Sequence, residues 1–248
     1  MKKLLLLSSA LLVVTASAAS AQINLSWNNC IGVGTHSMNK NYACDGSANG
    51  SPHKAVMSWK EPIGMPELVG IQAVVDIQTS DPILPDFWRR GLGECAEGNV
   101  IFPGSLSGLG NATCVNVWAG DNTGGGYDYT TGFGGPARAR LRIVFAKTFP
   151  SATVYGTHYL GGSIELDTFK DVDSGFGVCN GCLVPACLVL NQMELYQVAG
   201  QTPPQQDVYA MSNADQRNWV TWQGGDPSCV GATPTKNRTW GSVKSLYR

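Results

Sequence analysis

Eight cysteines give this sequence its most reactive atoms, and three of them fall within one short stretch, CNGCLVPAC at 179–187. Thiols so placed can hold a metal, run redox chemistry or form cross-links. Zinc takes four ligands in a tetrahedral array, usually from two paired clusters. Here one cluster is tight and no histidine lies near it; His158 is the closest upstream. A redox Cys-x-x-Cys normally opens a helix beside a βαβ unit, whereas Cys179 and Cys182 enclose Gly181 and precede a β-like apolar run. Cross-links fit better. The full set is Cys30, Cys44, Cys95, Cys114, Cys179, Cys182, Cys187 and Cys229. An even count in an exported chain is the usual mark of disulfides. Spacing predicts local pairs Cys30–Cys44 and Cys95–Cys114. The other four could pair as Cys179–Cys187 with Cys182–Cys229, or as Cys179–Cys182 with Cys187–Cys229.

Carboxylates offer a second chemistry. In SIELDTFK (163–170), a strand would put Glu165 and Asp167 on one face, about 6.6 Å apart along the chain. Paired carboxylates at such range can act as nucleophile and acid in glycoside hydrolysis. The stretch resembles the Glu-x-Asp-x-Glu or Glu-x-Asp-x-x-Glu motif of laminarinase-like jelly rolls in its first two acids. Phe169 and Lys170 stand where the last Glu would be, so the resemblance does not carry the family's activity with it. The competing reading is an outward acidic pair answering the arginines of 138–147. The stretch DVDSG (171–175) could begin a structural calcium loop with Asp171 and Asp173 as hard oxygen ligands, although the closing Glu of an EF-hand is missing. Of three histidines, His36, His53 and His158, one would have to serve as base in a Ser-His-Asp site. No Gly-x-Ser-x-Gly elbow is present, and GSLSG (104–108) has its serines at the wrong offsets.

The remaining candidates are aromatic. Trp118, Tyr127, Tyr129 and Phe133 flank or lie within AGDNTGGGYDYTTGFGGPA (119–137), a stretch that reads as a long loop, functional or disordered. Their rings could stack on sugars while Asn and Asp supply hydrogen bonds. The alternative is that they fold back and plug one end of the fold.

These residues need a scaffold, and the N-terminus says where it works. Lys2 and Lys3, an apolar run from Leu4 to Val14, and Ala19-Ser20-Ala21 make a bacterial-looking secretory signal peptide over 1–21. The run is about half the roughly 20 residues that a spanning helix needs. The mature chain would be one domain over 22–248, periplasmic or secreted, with no transmembrane segment. Removing Lys2 and Lys3 leaves 15 basic residues of the 17 against 18 acids, a net charge of about −3. That offers no basic face for nucleic acid. Charged residues make up only 14%, against roughly 25% in an average soluble protein, so the surface must be built from Gly, Asn, Ser, Thr and Gln.

Strand patterns dominate the rest. In RARLRIVFAK (138–147), Arg138, Arg140 and Arg142 alternate with Ala139, Leu141, Ile143 and Phe145, the period of a half-buried strand. Runs at 23–27, 54–60, 68–79, 158–169, 187–198 and 217–225 read likewise. No amphipathic helix of three turns appears. The expectation is an all-β, two-sheet antiparallel sandwich, jelly-roll-like, with disulfide-stapled loops. Three functions follow: a non-catalytic sandwich that binds carbohydrate or sits on the cell surface, a hydrolase built on Glu165 and Asp167, or a structural subunit assembling through an edge strand. The closing run 239–248 reads as a last strand or a recognition tail.

Overall fold

The computed structural model describes residues 22–31, 37–46, 53–97, 100–101, 114–119, 121, 123–173, 175–209, 218–224 and 229. The expected signal peptide, His36, the GSLSG stretch and the closing run 239–248 lie outside them.

Period-two burial builds the strands. In β7 (Arg138–Ser151), Ala139, Leu141, Ile143 and Phe145 are buried while Arg142 and Val144 are exposed. β4 (Leu68–Thr79) buries Ile71, Ala73, Val75 and Ile77, and β9 (Ala186–Gln197) buries Leu188, Leu190, Met193 and Leu195. These strands centre a seven-stranded sheet. Its order is β2 (Asn39–Lys40), β11 (Trp219–Trp222), β9, β4, β7, β6 (Thr123–Thr131), and β10 (Gln205–Tyr209) also pairs with β9. All of its pairings are antiparallel except β2 with β11. A four-stranded antiparallel sheet has the order β1 (Gln22–Trp27), β3 (His53–Lys60), β8 (His158–Leu166), β5 (Val100–Ile101). Among the described residues the only helical element is a 3-10 turn at Asp86–Trp88.

The sheets pack face to face. Gly162 of β8 has φ +136°, and a Cβ there would sit 2.6 Å from a Phe145 ring carbon. Only glycine lets the smaller sheet lie so close on β7. Two indoles seal the sides: Trp27 donates from Nε1 to the Thr221 carbonyl, and Trp118 donates to the Leu160 carbonyl, each at 2.9 Å. The all-β two-sheet sandwich expected from the strand pattern is therefore present. A jelly roll is a narrower strand order, to which sheets of four and seven strands do not by themselves assign the chain.

Two expectations need correction. The stretch 119–137 is not one long loop, because 123–131 forms β6 against β7. A Cβ on Gly125 would stand 2.6 Å from the Val144 carbonyl oxygen, so the glycines that suggest a loop are what admit this strand. The cross-links also differ. All eight cysteines are joined, but as Cys30–Cys114, Cys44–Cys182, Cys95–Cys179 and Cys187–Cys229. Neither Cys30–Cys44 nor Cys95–Cys114 forms, nor does Cys179–Cys187, Cys182–Cys229 or Cys179–Cys182. The bonded residues stand 84, 138, 84 and 42 positions apart. Antiparallel strands carry distant loops to the same end of the sandwich, so nearness in sequence misleads.

Candidate binding cleft and the buried charge cluster beneath it

The loop that follows Trp88 is shaped by its own acids. Glu94 Oε2 accepts the Gly91 amide at 2.9 Å and the Thr131 hydroxyl at 2.6 Å, which ties the loop to the end of β6. Glu97 Oε2 accepts the Gly93 amide at 2.8 Å. Cys95–Cys179 anchors the loop from the other side. Between this loop and β6 opens a cleft of about 260 Å³, lined by Arg90, Leu92, Glu97, Tyr127, Asp128 and Tyr129, with Gly91.

Arg90 forms the floor and is 1% exposed. Its guanidinium carbon lies 4.4 Å from the Phe87 ring centre and 5.8 Å from that of Trp88. Nη1 donates to the Asp167 carbonyl at 3.3 Å. Burial lowers its pKa to about 10, against the pull of Tyr129, Asp171 and Asp167, so the group keeps its charge at neutral pH. Asp171 is 9% exposed. Burial lifts its carboxyl to about 7, with Asp167 adding to the rise and Arg90 opposing it. His53, packed edge-on to Tyr42 at 4.6 Å and Trp222 at 5.2 Å, is held down to about 4 by burial, then by Lys40 and Arg90. A cation, two carboxyl groups and a neutral imidazole thus share one interior.

The four aromatic candidates divide. Tyr127 lines the cleft with 40% of its surface exposed. Tyr129, the second residue on, is buried; its hydroxyl donates to the Trp88 carbonyl, and burial pushes its pKa well up. Trp118 is 2% exposed, its ring 6.1 Å from Phe145 in the core, so no ligand reaches its face. Phe133, 39% exposed, carries the Arg140 guanidinium 3.7 Å from its ring centre.

The acids divide too. Glu165 is 5% exposed and pairs with Lys54 at 2.9 Å. β8 ends at Leu166, so the alternation that would set Asp167 beside Glu165 stops short. Asp167 Oδ1 instead accepts the Phe169 amide at 3.1 Å. On β7, Arg140 is answered from β4, where it grips Asp76 through two bonds of 2.6 and 2.7 Å. Asp173 Oδ1 accepts the Gly175 amide at 2.9 Å. Among the described residues the one cluster of three ligand-type side chains is Asp171 with Cys44 and Cys182, whose sulfurs are bonded to each other and are not thiolate ligands. Among the described residues no cluster of three ligand-type side chains includes Asp173.

Arg90, Glu97 and Asp128 carry no sequence signal that marks them, and His53, a candidate base in the sequence, instead sits neutral beside Tyr42 and Trp222. The signal available was FWRRG (87–91), two arginines after two aromatics. Nothing in it tells the buried Arg90 from Arg89, which is 45% exposed at its side chain and pairs with Asp86. Compared with family models, curated proteins and solved structures, the chain matches none. No helix among the described residues is long and apolar enough to cross a membrane. Four disulfides are consistent with an extracellular or periplasmic place of work.

Proposed function

We propose that this chain is exported, that residues 1–21 are removed, and that 22–248 folds as one non-catalytic β-sandwich domain binding carbohydrate in the cleft at Tyr127. One observation carries the reading: an exposed tyrosine ring stands in a cleft beside Glu97 and Asp128. The apolar ring face can stack on sugar C–H groups, and carboxylates accept hydrogen bonds from hydroxyls. A volume of about 260 Å³ falls just below the roughly 300 Å³ lower bound for drug-sized ligands and suits one sugar-sized ring. Against catalysis stand the ion pair of Glu165 and the separate placement of Asp167. A glycan array on the purified protein tests the reading, with Tyr127→Ala as control. The expected result is a bound glycan class whose affinity falls at least about tenfold in the variant, equal to about 1.4 kcal/mol. Binding to no glycan, or binding indifferent to Tyr127→Ala, removes the proposal. Tyr129→Ala is a poor control, because that ring belongs to the core.

A further inference from the structure

Cys44–Cys182 is unlike the other three disulfides. Among the described residues it alone has a third ligand-type atom, a carboxyl oxygen of Asp171, within 4.8 Å of both sulfurs. Asp171 Oδ2 lies 3.4 Å from Cys182 Sγ. Cys182 and Asp171 are buried, at 4% and 9% exposure. Cys44 is half-buried between the exposed Ala43 and Asp45. A disulfide sulfur bears no proton and presents only lone pairs. The contact is therefore attractive when Asp171 is protonated and repulsive when it is ionised. Among the described residues the other carboxyl oxygen, Oδ1, has no hydrogen-bond partner. The charged groups acting on Asp171 are Arg90, which favours ionisation, and Asp167, which resists it. Arg90 and Asp167 also act on His53, which is held neutral and is further influenced by Lys40.

We propose that Cys44–Cys182 is an exchangeable disulfide in which Asp171 delivers a proton to Cys182. The partner is an external dithiol. Its thiolate attacks Sγ of the more accessible Cys44. The S–S bond breaks, and its electron pair goes to Cys182 Sγ, which takes the proton of Asp171. Cys44 is left in a mixed disulfide. The second thiolate of the reagent then displaces Cys44, whose sulfur takes a proton from water. The dithiol ends as a disulfide, the protein has gained two electrons, and Asp171 recovers its proton from solvent.

Two features favour this course. Exchange is governed by access and by how well the leaving sulfur bears charge. A thiolate expelled into a buried site is costly, and a proton arriving as the bond breaks removes that cost. At the attacked sulfur, Gln223 Nε2 stands 3.4 Å from Cys44 Sγ and can hydrogen-bond a Cys44 thiolate. Opening the bond frees the segment 41–46 from the loop that carries Cys182, so the exchange alters the end of the fold that holds the cleft.

The oxidised full chain is exposed to limiting dithiothreitol, quenched with acid, alkylated and mapped by peptide mass. Cys44 and Cys182 are expected to label at least about tenfold faster than the other six cysteines. Divided by the fraction of dithiothreitol thiolate, the rate constant should fall as pH rises through about 7, because Asp171 then has no proton to give. In Asp171→Asn the same ratio should be flat with pH, and lower than wild type on the acid side. If Cys95–Cys179, also partly exposed, opens first, the proposal fails. It fails equally if Asp171→Asn keeps the wild-type profile. Should that variant not fold, the wild-type profile decides, since a flat ratio across the neutral range overturns the proposal.

Discussion

At one end of the sandwich the turns 61–67, 152–157 and 198–204 hold no cysteine and close by hydrogen bonds. The Glu61 amide donates to the Thr157 carbonyl at 2.9 Å, and the Gly156 amide donates back to Glu61 at 2.8 Å. Thr153 and Met65 join through backbone at 2.6 Å, and the Thr153 hydroxyl accepts the Met65 amide at 2.8 Å. At the other end, loops 80–97 and 167–185 are long and enclose Arg90, Asp167 and Asp171. Cys44–Cys182 and Cys95–Cys179 tie them down, with Cys187–Cys229 at the start of β9. Short turns can satisfy their polar groups locally. Long loops that bury charge lose more entropy on folding, and cross-links offset this by restricting the unfolded chain. In the chain-entropy model a link closing about 100 residues is worth about 4–5 kcal/mol. Three of the four disulfides fall at the end that carries the cleft; the fourth joins Cys30 to Cys114, next to Val115, which bridges Tyr159 near the start of β8.

The contrast can be broken residue by residue. Trp222 is fully buried and touches Trp27, Tyr42, His53, Phe87 and Trp88. Trp222→Ala should cost about 3–5 kcal/mol in denaturant unfolding. Removing Cys95–Cys179 by a double Ala substitution should cost about 2–4 kcal/mol, more than any single change in the turns of the opposite end. There, Thr153→Val leaves the buried Met65 amide without its side-chain acceptor and should cost about 1–2 kcal/mol.

The stapled end should also carry opposing pH dependences. The Asp171 carboxyl is raised when folded, so the native state holds more protons between its unfolded value and about 7. Its contribution falls as pH rises through that window. His53 is lowered to about 4, so the unfolded state holds more protons between about 4 and 6.5. Its contribution rises with pH over that range. In the wild type the two slopes largely cancel. Unfolding of Asp171→Asn should show stability rising from pH 4 to 6.5, and His53→Asn should show it falling from pH 4 to 7, each on the order of 1–2 kcal/mol after solvent screening. Parallel slopes in the two variants would contradict the cluster. The smallest effect on stability belongs to Tyr127→Ala, expected within about 0.5 kcal/mol, which is why it is a clean probe of binding.

The strands were legible because burial on one face imposes a period of two. Arg138, Arg140 and Arg142 against Leu141, Ile143 and Phe145 show it plainly. β6 was hidden, since Gly124, Gly125 and Gly126 carry no side chains to alternate and read as a loop. The oxidised state of all eight cysteines could be inferred from their even number, but their partners could not. Pairing depends on which loops meet at the end of a sandwich, and residues 138 apart leave no local trace. Two of the four aromatic candidates, Trp118 and Tyr129, are buried, which the sequence does not mark for a similar reason. Tyr127 and Tyr129 are two positions apart on one strand face, yet only the first reaches the cleft mouth, while the second points its hydroxyl at the Trp88 carbonyl. Arg90 was invisible, because nothing in FWRRG tells which arginine turns inward over Phe87 and Trp88 and reaches the distant Asp167 carbonyl.

The most direct test is a disulfide map of the unreduced chain, by protease digestion and mass spectrometry at acidic pH. The account predicts cross-linked peptides joining Cys44 to Cys182 and Cys95 to Cys179, with Cys30–Cys114 and Cys187–Cys229 completing the set. Peptides joining Cys30 to Cys44, or Cys95 to Cys114, would show that distant loops are not held together at the cleft end and would contradict it.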